Sequence, residues 1–187
     1  ETVRKGLAKR LLGEVIAHIG LRREGLRFPF PKGFKKGLEG RRIEQIDRRA
    51  KYLLIRLDDD STWLVHLGMT GKFTLFSHND IPEEYGKHDH VIVTMSDGGV
   101  AVYNDVRRFG FMDLIVAGGE QNHHHFANLG CEPLSEDFDA KALCKSLEGK
   151  KSPIKNALLD QRVVAGLGNI YVCEILFRAG VSPLSIS

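Results

Sequence analysis

The stretch LDQRVVAGLGNIYVCEILFRAG, residues 159–180, sets a Gly-rich turn between two apolar runs. Gly166, Gly168 and Asn169 stand directly before a strongly helical sequence. The first amide N–H groups of a helix have no partner within it, and the aligned peptide dipoles add partial positive charge there. Glycines at such a place remove side chains that would block an approaching phosphate. The Asn169 amide can cap the helix or donate to a phosphate oxygen. Lys150, Lys151 and Lys155 lie just upstream. Two readings stay open at this level: a compact helix–helix turn with an Asn cap, or a surface that receives the backbone of a polyanion. No strand-like run leads into the turn, which argues against a dinucleotide or P-loop nucleotide site.

Other candidate groups are weaker. His88 and His90 form a strand-edge pair, but no third metal ligand follows at sensible spacing. His123–His125 is a histidine run in a loop and reads as surface. The three cysteines, Cys131, Cys144 and Cys173, are odd in number and form no Cys-x-x-Cys pair, so neither a zinc ribbon nor a disulfide framework is encoded. A reducing cytoplasm is therefore the expected compartment. The net charge is only +3, but its distribution is uneven. Basic doublets fall at 22–23, 35–36, 41–42, 48–49, 107–108 and 150–151, and acidic clusters at 58–60, 83–84 and 136–139. Such segregation permits a basic face for a nucleic acid. No run approaches 18 continuous apolar residues, so no membrane-spanning helix is expected.

The elements that must hold these residues are legible in outline. Val3, Leu7 and Leu11 repeat at helical spacing, which predicts a helix over 2–12 stopped near Gly13. From Val15 to about Val116 the pattern is of strands. KYLLIRL, TWLVHL, GKFTLF, HVIVTM and GVAVYN are short β-branched or aromatic runs separated by turn signals such as DDDS and SDGG. Closely spaced strands of this kind predict an antiparallel β-sandwich. The remainder reads as helical. Asp137 or Asp139 is expected to cap a helix over DAKALCKSL, and Ser152 to cap one with Pro153 at its first position. A third helix is expected to end at Gly180. The predicted class is α+β: an N-terminal helix and sandwich over 1–128, then a helical domain over 129–187.

The segment LDQRVVAGLGNIYVCEILFRAGVSP closely resembles the helix-two-turn-helix of the bacterial formamidopyrimidine-DNA glycosylases. ETVRKGL, RRAKYLL, HLGMTG, KHDHV, NDVRRFG and LGCEPL agree with that family's motifs in the same order, from the first residue onward. The resemblance implies a base-excision-repair glycosylase and AP lyase acting on damaged double-stranded DNA. Its substrates would be oxidised purines, 8-oxoguanine and formamidopyrimidines, flipped out of the stack before excision. Met69, Arg107 and Phe109 match the side chains that fill the vacated space. Lys51 matches the lysine beside the reacting sugar, which the family uses in catalysis. His66, His88, Lys150, Lys155 and Asn169 match contacts to the DNA backbone, and Arg107 also meets the orphaned base. Taken singly, Met69 and Phe109 would read as core residues and Lys51 as a surface charge. The resemblance also implies a monomer.

The sequence departs from the family in several places. The family begins with a Pro-Glu dipeptide, a few residues before ETVRKGL, that supplies the amine nucleophile and an acid–base carboxylate. It ends with a Cys₄ zinc finger. Neither lies within residues 1–187, so no cofactor is expected here, and one structural zinc is expected in a longer protein of which this chain would be a portion. Val106 and Cys131 stand where the family commonly has proline. Two rival readings remain: an endonuclease VIII-like enzyme for oxidised pyrimidines, and a non-catalytic module that binds lesions. The AKYLL motif and the Met–Arg–Phe set favour the purine enzyme.

Overall fold

A computed structural model describes residues 1–187. The chain forms two compact units. The first comprises residues 1–48 and 52–120, and the second comprises residues 49–51 with 121–187.

The first unit begins with α1 (Thr2–Leu11), which buries Leu7 and Leu11, one turn apart. Eight strands and a short helix follow: β1 (Ile16–Leu21), α2 (Phe34–Leu38), β2 (Ile43–Arg49), β3 (Tyr52–Leu57), β4 (Thr62–His66), β5 (Lys72–Phe76), β6 (Asp89–Met95), β7 (Val100–Asn104) and β8 (Phe111–Ile115). They make two four-stranded sheets, ordered β1-β6-β7-β5 and β2-β3-β4-β8. The pairs β1–β6, β6–β7, β5–β7, β3–β4 and β4–β8 are antiparallel. Alternate residues face inward, as the pleat requires: Leu53, Ile55 and Leu57 from one sheet, Val91, Val93 and Met95 from the other. These residues share one buried cluster with Trp63, Tyr103, Leu7 and Phe34, so the sheets pack as a sandwich closed by both helices.

Three strands and one helix lack the pattern that marks the others. In β1, Ile16 and Ile19 are both buried although three residues apart. The register against β6 shifts between Ile16 and His18, and this irregularity breaks the alternation. β2 buries Ile43 and Ile46 at the same spacing and leaves the residues between them exposed. β8 buries two adjacent residues, Phe111 and Met112. α2 is five residues long and contains Gly37, so its helical spacing is barely one turn.

The second unit holds α3 (Ala140–Leu147), α4 (Ile154–Leu159) and α5 (Asn169–Arg178). Of the two expected caps for α3, Asp139 takes the role: its side chain accepts from the Ala142 N–H at 2.6 Å. The Ser152 cap is not formed. Pro153 itself occupies the capping position of α4, and Ser152 offers its carbonyl to Ser187 instead. Asn169 is likewise no cap. It is the first residue inside α5, and Gly168 stands at the cap. The buried core of this unit is small: Leu158 of α4 with Val172 and Leu176 of α5. No helix is long and apolar enough to cross a membrane.

Candidate nucleic-acid interface

In the second unit the 160–168 turn is fixed by one side chain. Gln161 donates through Nε2 to the carbonyls of Leu159 and Leu167, at 3.0 and 2.9 Å. Its Oε1 accepts from the Gly166 N–H at 2.9 Å. Gly166 has φ +87, the left-handed region that disfavours a side chain. The chain thus reverses tightly and presents α5 end-on. No side chain caps α5, so its first amides keep their donor capacity. Asn169 is exposed there. Because it does not cap, its amide is available to a ligand.

Lys51 belongs to this same unit. A methyl group at Gly168 would stand 3.7 Å from its Nζ, so the ammonium lies directly over the helix start. The backbone before it is pinned. The Ala50 N–H donates to Glu132, and Arg49 donates to the Gly130 carbonyl at 3.1 Å. Ala50 adopts φ +52, which turns the chain so that Lys51 points back. Burial holds the Lys51 amine below its ordinary value of 10.5. The side chain is nonetheless open to solvent along much of its length. Lys150 is near enough to this turn for its charge to act on Asp160. The Asp160 carboxyl is lowered to about 2, first by its hydrogen bond to Arg162 and in smaller part by Lys150. Lys155 lies on α4, half-buried.

In the first unit two loops touch: 66–71, after β4, and 105–110, before β8. A Cβ at Gly68 would meet the Gly110 N and the Phe109 carbonyl carbon at 2.5 Å. Met69 at the tip of one loop is 70% exposed, and Phe109 on the other is 43% exposed. Core packing therefore accounts for neither. The Arg107 guanidinium lies 4.5 Å from the centre of the Phe109 ring. His66 stacks on Phe111 at 5.2 Å between ring centres, and its Nδ1 accepts from the Gly68 N–H. Its ring thereby supports the base of the Met69 loop.

His88 sits apart from His66, in a cavity of about 410 Å³ lined by Arg22, Arg23, Lys87, His88, His90, Val106 and Arg108. Six of these seven residues are basic, so the cavity suits an anion. His90 is buried, and its ring nitrogen meets the Asp105 carbonyl at 2.9 Å. Burial, more than any neighbour, pushes its pKa down, so the ring is neutral at pH 7. Arg22, Arg23, Lys87 and Arg108 stood out in the sequence only as members of basic doublets or of the KHDHV and NDVRRFG motifs, with no role of their own. Their only sequence signal is that two basic doublets and KHDH fold to one place. The histidine run at 123–125 packs ring against ring, with centres 4.0–5.4 Å apart. No group of three His, Cys, Asp or Glu side chains is arranged to hold a metal.

A family model described as the formamidopyrimidine-DNA glycosylase N-terminal domain matches residues 1–112, and the H2TH domain of the same enzymes matches 129–187. The formamidopyrimidine-DNA glycosylase of Beijerinckia indica subsp. indica is 49% identical over 187 residues, covering 98% of this chain and 65% of its own length. That of Rhodospirillum centenum is 51% identical over 193 residues, covering 98% of this chain and 66% of its own. The chain thus spans just under two thirds of these relatives. The crystal structure of Lactococcus lactis Fpg (MutM) with DNA containing N7-benzyl-Fapy-dG superposes with a TM-score of 0.87 at 39% identity, covering 99% of this chain and 67% of that one.

Proposed function

The chain belongs to the formamidopyrimidine-DNA glycosylase family, and on that premise we propose that its protein is a bifunctional DNA glycosylase and AP lyase. Its substrates are oxidised purines in duplex DNA, 8-oxoguanine and formamidopyrimidines, and it works in the cytoplasm as a monomer. The observation that carries this reading is the pair of touching loops that hold Met69, Arg107 and Phe109 out to solvent. A base inside a duplex cannot be reached, so it must be flipped out, and the gap must be filled. Phe109 is a rigid apolar wedge and Met69 a flexible one. Arg107, braced on the Phe109 ring, offers a planar fork of donors to the orphaned base.

The other residues take the strand. The open end of α5, with Asn169, receives a phosphate, and Lys51 above it holds the strand and moves protons during β- and δ-elimination. Lys150, Lys155, His66 and the cationic cavity around His88 bind backbone phosphates. Such contacts fix register without reading sequence, as repair of any sequence requires. Each of the two units thus carries some of the proposed contacts to the strand. In this family the attacking amine comes from an N-terminal proline, and the residues described here bind, orient and stabilise around it. The family also carries a structural zinc held by four cysteines. Cys131, Cys144 and Cys173 do not fit one, because they stand apart from one another and from any group of further ligands.

Base release from an 8-oxoguanine·cytosine duplex, measured beside release from a thymine glycol duplex, tests the substrate class. The purine lesion is expected to be excised faster by about tenfold or more. Equal rates, or a preference for thymine glycol, would assign the chain to pyrimidine repair instead.

A further inference from the structure

Asp105 is a carboxylate with no exposed surface, placed at the root of the Arg107 loop. Its backbone is fixed on both sides to residues 88 and 90, at the start of β6. The N–H donates to the His88 carbonyl at 3.0 Å, and the carbonyl meets the buried His90 ring at 2.9 Å. Its carboxylate accepts from three donors. They are the Gly110 N–H at 2.8 Å, the Tyr103 hydroxyl at 3.3 Å and the Thr70 hydroxyl. Burial above all, and then Asp105 itself, push the Tyr103 phenol well above its ordinary range, so Tyr103 stays a donor.

The Thr70 bond connects two loops 35 residues apart in sequence. Thr70 has one hydroxyl proton, and it is donated in the hydrogen bond to Asp105. Its oxygen is then oriented as an acceptor, and it receives the Arg107 N–H at 3.1 Å. Arg108 follows in the left-handed region, with φ +56. The direction in which Arg107 leaves the backbone is therefore set by a relay from Asp105 through Thr70, and the guanidinium ends over Phe109. A planar donor fork discriminates between bases only when held to a fraction of an ångström.

We propose that Thr70 and Asp105 are positioning residues that aim Arg107, and so set how strongly the protein prefers cytosine to adenine opposite the lesion. The proposal rests on the reading of Arg107 given above. Neither residue touches DNA in this scheme. Thr70 lies beside Met69 in a half-buried turn, so its hydroxyl can be removed with little loss of packing.

The test is equilibrium binding of the intact protein to duplexes carrying a tetrahydrofuran abasic analogue opposite cytosine or adenine. Thr70→Val keeps the shape and removes the hydroxyl, and is expected to narrow the cytosine-over-adenine ratio about fivefold. Thr70→Ser restores the hydroxyl and is expected to return the ratio to within about twofold of wild type. Asp105→Asn reads the same link from its other end and is expected to narrow the ratio as Thr70→Val does. If the relay acts only through Arg107, Thr70→Val/Arg107→Ala has the same ratio as Arg107→Ala alone. A ratio unchanged in Thr70→Val or Asp105→Asn overturns the relay, as does a double variant that loses more than Arg107→Ala. The wild-type control separates the two levels. A protein that binds the abasic duplex no better than the undamaged one removes the underlying reading of Arg107, whatever Thr70 does.

Discussion

Lys51→Ala is expected to slow strand cleavage at an abasic site by about 10²-fold or more, the usual range for a positioned acid–base group. Affinity for the same duplex is expected to fall less than about tenfold, because Lys51 is one of several cations on the strand. Its placement makes this split. The ammonium lies over the start of α5, where a phosphate would be received, rather than among the dispersed lysines of the surface. Its pKa is held below 10.5 by burial, which gives the pH dependence a sign. A lowered pKa means the charge is lost at lower pH than in an ordinary lysine. Binding by wild type should therefore weaken earlier on the alkaline side than binding by Lys51→Arg, whose charge persists. Single-turnover cleavage and equilibrium binding on one duplex check both expectations. Equal losses in rate and affinity would reduce Lys51 to a phosphate contact.

Gly68→Ala is expected to cost the sandwich unit about 2–5 kcal/mol of stability. Two costs combine. A side chain at φ +63 enters the left-handed region, at about 1–2 kcal/mol. The new methyl also meets Gly110 N and Phe109 backbone at 2.5 Å, and overpacking typically costs about 1–3 kcal/mol. The atoms it meets are backbone, which cannot rotate aside as a side chain would. Relief requires the two loops to separate, which would also displace the residues they carry, Met69 on one and Phe109 on the other. Denaturant unfolding followed by tryptophan fluorescence reads the loss, because Trp63 is the chain's one tryptophan and lies in the sandwich core. A change below about 1 kcal/mol would mean that the loops yield easily and are not a rigid platform.

What the sequence made legible follows from whether the interactions are local. α1, α5 and the strands β3 to β7 carry their own periodicity or apolar runs, so each could be placed from its own residues. β1 was hidden by its irregular register, and β2 and β8 by burial patterns without alternation. The caps divide in the same way. Asp139 caps α3 through a bond three residues long, whereas Ser152 and Asn169 give way to Pro153 and Gly168. The turn at 160–168 was visible because Gly166, Gly168 and Asn169 stand together in the sequence, whereas the part of Gln161 in fixing it appears only in the folded chain. The association of residues 49–51 with a unit that resumes at 121 was not visible. It depends on Ala50 meeting Glu132, a contact across 82 positions. The Thr70–Asp105 link and the basic cavity were hidden for the same reason. Residue type alone marks Thr70 as an ordinary turn residue and Arg22 as an ordinary surface charge.

On the proposed function, this protein excises an oxidised purine through an amine-linked intermediate while these residues hold the opened duplex. Borohydride trapping of the intact protein on an 8-oxoguanine·cytosine duplex tests it most directly. The expected result is a covalent protein–DNA adduct that forms with the lesion and not with undamaged DNA. No adduct, with tight binding to an abasic duplex retained, would contradict it and leave a lesion-binding protein without the chemistry.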